Sequence, residues 1–196
     1  MAETPRSPIT AFEGERLPGI GHNQGPPLDP GRSFRRYAWK RARAELMPRL
    51  PLEVVRRRVA RAKELGLAYP DYASILLGSG RDIVGFLFTV PAIADEAARV
   101  AKVRALGRCD RLLMASNAPA QRLAEAHGLV FATVAPPPGD EAPFAEQRDA
   151  VLAVLAPRRL PGDAVVMIGA TSVERGWAEA GRLAKFLPAE RYFTAS

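Results

Sequence analysis

The chain has 196 residues, is 47% hydrophobic and 25% charged, and carries 28 Lys and Arg against 21 Asp and Glu, a net charge of +7. That balance excludes collagen-like and wholly disordered chains and leaves enough length for a buried core. The longest apolar run, residues 83–94, is too short to span a bilayer, and the lone Cys109 excludes an intrachain disulfide or a cysteine-cluster zinc site.

The start, Met1-Ala-Glu-Thr-Pro5, lacks the basic and apolar stretches of a secretion signal, so the expected setting is the cytoplasm, with no membrane contact. His22 and His127 are the only histidines, and no metal or cofactor is expected. Residues 1–31 hold six prolines and five glycines without helical or strand periodicity, which predicts a disordered Pro/Gly-rich arm. Within it, Gly19-Ile-Gly-His-Asn-Gln-Gly-Pro-Pro-Leu-Asp29 resembles a G-H-N-x-G-P-P-L segment near the start of many alphaproteobacterial proteins. The resemblance covers about ten residues and implies a bacterial lineage, not an activity. Docking of a protein partner and a bare linker both fit such an arm.

Residues 32–78 read as a short basic helical module. Ser33 can cap a helix from Phe34 to Met47, with Trp39, Ala42 and Leu46 on one face and Arg36, Lys40 and Arg43 on another. A second helix begins after Pro51, where Leu52, Val55, Val59, Ala62 and Leu65 form a stripe and Arg57, Arg58 and Arg61 lie off it; Gly66 closes it. Pro70-Asp71 opens a third, predicted to end at Gly78. Charge is concentrated here: residues 31–67 hold twelve basic and three acidic side chains, whereas residues 68–196 hold fourteen of each. Such a block is what a phosphate-contacting surface needs, for DNA or RNA, and it is equally what a solvated face or an acidic protein partner would accept. The arginine bias, 24 of 28 basic residues, matches a chain rich in Ala, Gly and Pro and carries no weight of its own.

Residues 79–196 alternate strand and helix, which predicts an α/β fold with a small, mostly parallel sheet flanked by helices. The predicted strands are 83–89, 110–115, 129–134, 163–169 and a terminal 191–194. The predicted helices are 91–106, 119–127, 143–155 and 171–185. In parallel sheets ligands bind beyond the carboxyl ends of the strands. Three ends carry small polar groups: Thr89, Ser116-Asn117 and Thr171-Ser172. Ser116, Asn117, Thr171 and Ser172 are therefore candidates for binding a phosphate or carboxylate, or else ordinary helix caps. Gly78-Ser-Gly-Arg-Asp82 lacks the spacing and lysine of a P-loop and reads as a turn.

Met114-Ala-Ser-Asn-Ala-Pro119 is similar to the second motif of the haloacid-dehalogenase phosphatase family. Residues 161–169 with Thr171-Ser-Val-Glu174 are similar to its fourth motif. The likeness spans residues 110–185. It implies a kinship, with the phosphatase chemistry lost: the first strand ends Phe86-Leu-Phe-Thr-Val90 without an aspartate nucleophile, Ala170 stands where that family has a magnesium-binding aspartate, and no lysine lies between Lys102 and Lys185. The leading functional expectation is a regulatory or accessory protein touching nucleic acid through Arg36, Lys40, Arg43, Arg57, Arg58 and Arg61. The alternatives are a ligand-binding or enzymatic α/β domain and a subunit of a protein assembly.

Overall fold

A computed structural model describes residues 50–94, 96–139 and 141–194. The arm, its G-H-N segment, the helix expected over 34–47 and the residues Arg36, Lys40 and Arg43 lie outside the described residues.

The described elements are α1 (Leu52–Glu64), α2 (Tyr69–Ser79), β1 (Gly85–Thr89), α3 (Val90–Ile93), α4 (Ala97–Ala105), β2 (Asp110–Met114), α5 (Asn117–His127), β3 (Thr133–Ala135), α6 (Phe144–Leu155), β4 (Val165–Gly169), α7 (Ser172–Ala180), β5 (Lys185–Pro188) and α8 (Ala189–Thr194). Among them no helix is long and apolar enough to cross a membrane. The five strands form one all-parallel sheet in the order β3-β2-β1-β4-β5. The chain starts at the centre, steps out through β2 to β3, then crosses back to lay β4 on the other side of β1. That reversal makes the β1/β4 boundary the topological switch point, where the loops beyond two neighbouring strands diverge and leave a crevice.

Both faces of the sheet are covered, so the strands read as unbroken apolar runs. Phe86, Phe88, Leu113, Val166, Ile168 and Leu187 point to one side. There they meet Leu65, Tyr72 and Ile75 of the leading helices, Val100 and Val103 of α4, Leu123 of α5 and Tyr192 of α8. Leu87, Leu112, Met114, Val165 and Met167 point to the other, onto Val151, Val154 and Leu155 of α6 and Trp177 and Ala178 of α7. The alternation is that of strand geometry, one residue per face in turn. Where the sequence suggests a boundary after residue 78, α1 and α2 share the first of these cores with the sheet.

The helix α1 ends as its sequence predicts. Gly66 adopts φ +62, its amide donates to the Lys63 carbonyl and the Leu67 amide donates to the Ala62 carbonyl, a Schellman closure that a residue with Cβ would strain. Its stripe is only partly used: Ala62 and Leu65 are buried, whereas Leu52 and Val59 stay exposed.

Five expectations about elements are corrected. The strand expected over 129–134 forms only at Thr133–Ala135, the three residues that pair with β2. The helix α2 runs past Gly78 and is closed by Gly80, which takes the left-handed conformation at φ 71. The helix expected over 91–106 is two helices, because Ala94 takes a left-handed conformation at φ 49 and ends α3. The helix expected to reach Lys185 stops at Ala180. Beyond Gly181, Arg182 takes a left-handed conformation at φ 51, which turns the chain, and residues 185–188 pair with β4 instead. Residues 191–194, expected as a strand, lie within α8, where Arg191 is held by Asp71 and the Tyr192 hydroxyl donates to the Leu65 carbonyl.

Candidate functional site

The strand ends are level. Thr89 pairs with Met114, Met114 with Ala135 and Phe88 with Ile168, so the residues following β1, β2 and β4 emerge side by side at one rim. At that rim lies a crevice of about 200 Å³, lined by Thr89, Val90, Pro91, Met114, Ala115, Ser116, Pro119, Pro137, Glu174 and Trp177. It has polar groups from three strand ends set in an otherwise apolar wall.

Each polar group is placed by a local rule. Thr89 is buried at the end of β1 and caps α3, its Oγ1 accepting from the Ala92 amide at 3.3 Å. Thr171 opens α7 with a capping box: its Oγ1 accepts from the Glu174 amide at 3.2 Å, while Glu174 reaches back to the Thr171 amide at 2.8 Å. Glu174 Oε2 also accepts from the Ala170 amide, at 2.5 Å. The carboxylate is 3% exposed, folded over the end of β4. Gly169 makes that possible, since a Cβ there would lie 2.8 Å from Glu174 Oε2 and 2.5 Å from the Phe186 ring. A buried carboxylate at a helix N-terminus is stabilised by the amides it accepts from and by the positive end of the helix.

Of the four candidate ligand residues, only Ser116 lines the crevice. Asn117 is exposed in the first turn of α5, and Thr171 and Ser172 are exposed at the start of α7. The capping reading accounts for Thr171, whose hydroxyl is used, and with Glu174 in place that helix end is closed to an outside anion. Ser116 differs, because it is the N-cap of α5 yet makes no side-chain capping bond. The residues missed from sequence are Glu174 and Trp177. The T-x-x-E spacing signalled the capping box, but nothing in it signalled that the carboxylate would be buried at the crevice.

The candidate nucleic-acid residues divide differently. Arg57 is exposed and Arg58 half-buried on α1, and neither forms an ion pair with a described residue. Arg61 is engaged from every side. Its Nε donates to Asp82 at 2.9 Å, one terminal nitrogen to Glu64 at 3.0 Å, and the other to the carbonyls of Ile83 at 2.9 Å and Arg108 at 3.2 Å. Burial alone would lower its pKa, but the Glu64 hydrogen bond and the charge of Asp82 outweigh it and raise it. Arg61 fastens α1 to the start of β1, and four of its five N–H donors are taken, so little of it is left for phosphate in this arrangement.

Cys109 is inert by environment, burial pushing its thiol up to about 11. Among the described residues no cluster of three His, Cys, Asp or Glu side chains is assembled that could hold a metal. At the positions to which the phosphatase resemblance would assign carboxylates stand Thr89 and Ala170. No protein-family model matches this chain, nor does any curated protein or solved structure.

Proposed function

We propose that the α/β unit is a small-molecule-binding domain whose site is the crevice at the β1/β4 switch point. One observation carries this reading: level strand ends bring Thr89, Ser116 and Glu174 to a single concave, mostly apolar wall at the place where open parallel sheets bind ligands. The test is thermal denaturation of the full chain against a panel of charged and uncharged metabolites. A ligand at a hundred times its dissociation constant adds ~2.7 kcal/mol, which at this size is a rise in Tm of about 5–10 °C. The same ligand should have no effect on Ser116→Phe, which fills the crevice mouth from an exposed cap position. No shift from any panel member would count against the reading.

A second reading is favoured by charge. Residues 31–67 sum to +9, and Arg57 and Arg58 form no ion pair with a described residue, so contact with nucleic-acid phosphate through this segment is a separate proposal. Anisotropy titrations with duplex DNA, single-stranded DNA and RNA across a salt series test it. Affinity that falls steeply with salt and is lost in the R57Q/R58Q double variant supports it, and absence of binding at low salt removes it.

A further inference from the structure

The crevice has a neighbour. A second cavity of about 310 Å³ is lined by Val90, Pro91, Ala94, Pro119, Arg122 and Leu123, and it adjoins the first across Val90, Pro91 and Pro119, which line both. The two cavities offer unlike charges. Glu174 lines the first: its Oε2 holds two backbone amides, its Oε1 takes no hydrogen bond from a described residue, and no described cation pairs with it. The nearest basic residue in sequence, Arg175, lies over the Phe186 ring and forms no ion pair with Glu174. Arg122 lines the second cavity, exposed and without an ion pair among the described residues. Between them the shared wall of Val90, Pro91 and Pro119 is apolar, and Met114 and Ala115 continue it, while Trp177, whose buried Nε1 has no hydrogen-bond partner among the described residues, also lines the first cavity.

The second oxygen of that carboxylate, Oε1, has no donor among the described residues, and a ligand ammonium would supply one. An exposed arginine at the far end suits a carboxylate, through a planar fork of donors. Resting on the ligand-binding reading above, we propose that the cleft takes a small zwitterion, an amino-acid-class molecule whose ammonium sits at Glu174 and whose carboxylate sits at Arg122, with an apolar linker between. The same arrangement disfavours two other classes. A dicarboxylate or bisphosphate would set one anion against Glu174, and a diamine would set one cation against Arg122.

The experiment uses a ruler of unbranched ω-amino acids, from glycine to 6-aminohexanoate, with dicarboxylates and diamines of matching lengths, by calorimetry on the full chain. One or two adjacent lengths should bind at least tenfold more tightly than the matching diacid and diamine. Arg122→Gln, at an exposed helix position, should weaken the best amino acid about tenfold without lowering Tm, and Glu174→Gln should do the same where circular dichroism confirms folding. Equal affinity for the matching dicarboxylate, or no effect of Arg122→Gln, overturns the zwitterion assignment. If every amino acid fails while another member of the metabolite panel binds in a Ser116-dependent way, the assignment falls and the ligand-binding reading stands. If nothing in either set binds, both fall.

Discussion

Arg61 offers the sharpest separation between a structural and a phosphate-binding role. Its guanidinium makes four hydrogen bonds, two to carboxylates and two to the Ile83 and Arg108 carbonyls, and its side chain is 17% exposed. The partners Asp82 and Glu64 are 47% and 39% exposed, so the ion pairs themselves contribute little, ~0–1 kcal/mol each. The bonds to backbone carbonyls from a charged donor count for more, ~1.5–3 kcal/mol each before the cost of holding the side chain still. Arg61→Met keeps most of the aliphatic stem and deletes the donors, and should cost about 2–4 kcal/mol. With a urea slope of about 2 kcal/mol/M, the midpoint falls by about 1–2 M. Arg57→Met, on the exposed side of α1, should move it by less than about 0.5 kcal/mol. If Arg61→Met unfolds at the wild-type urea concentration, the hydrogen-bond argument is wrong and Arg61 returns to the pool of free surface cations.

Three further outcomes are expected. Gly169→Ala pushes on both Phe186 and Glu174, and should lower stability by ~1–3 kcal/mol in urea titration; a neutral result would mean the carboxylate is not held over the strand end. At pH 8, Cys109, with its thiol near 11, should react with a disulfide reagent on the order of a hundredfold more slowly than free cysteine until urea is added. Burial first, and then its 2.9 Å hydrogen bond to Asp82, push Tyr72 up to about 12. The unfolded group titrates near ~10, so folding favours the protonated phenol. Its contribution is complete below pH ~10 and is lost as pH rises from there towards 12, so wild type should lose stability over that range more steeply than Tyr72→Phe in pH-dependent urea unfolding. Parallel curves would show that Tyr72 is not linked.

The strands at the centre of the sheet were legible because burial on both faces leaves a plain signature, as in Phe86-Leu-Phe88 and Val165-Val-Met-Ile168. Misreadings cluster where tertiary contacts outvote local preference. Arg191-Tyr-Phe-Thr194 has the composition of a strand, but Asp71, 120 residues earlier, holds Arg191 in α8. Lys185 reads as the last residue of a helix and Phe186-Leu-Pro188 as no element, because a four-residue edge strand has too little length to show alternation. The site was half legible. Small polar residues at strand ends can be found by eye, but which of them meet depends on strand order, and strand order is set by long-range pairing. The T-x-x-E spacing offers Glu174 as a capping-box residue, a signal not taken up, while its burial depends on Gly169 and Phe186 leaving room beside it. Arg61 looked like one more arginine on a basic face until its partners at residues 82, 83 and 108 were placed beside it.

Amide chemical-shift mapping of the full chain with the strongest thermal-shift ligand tests most directly whether the switch-point crevice is a binding site. Shifts concentrated at Thr89, Ser116, Glu174 and the Trp177 indole, with α1 unmoved, are predicted. Shifts confined to α1 and the Arg57–Arg58 face, or spread without a centre at the strand ends, would contradict it.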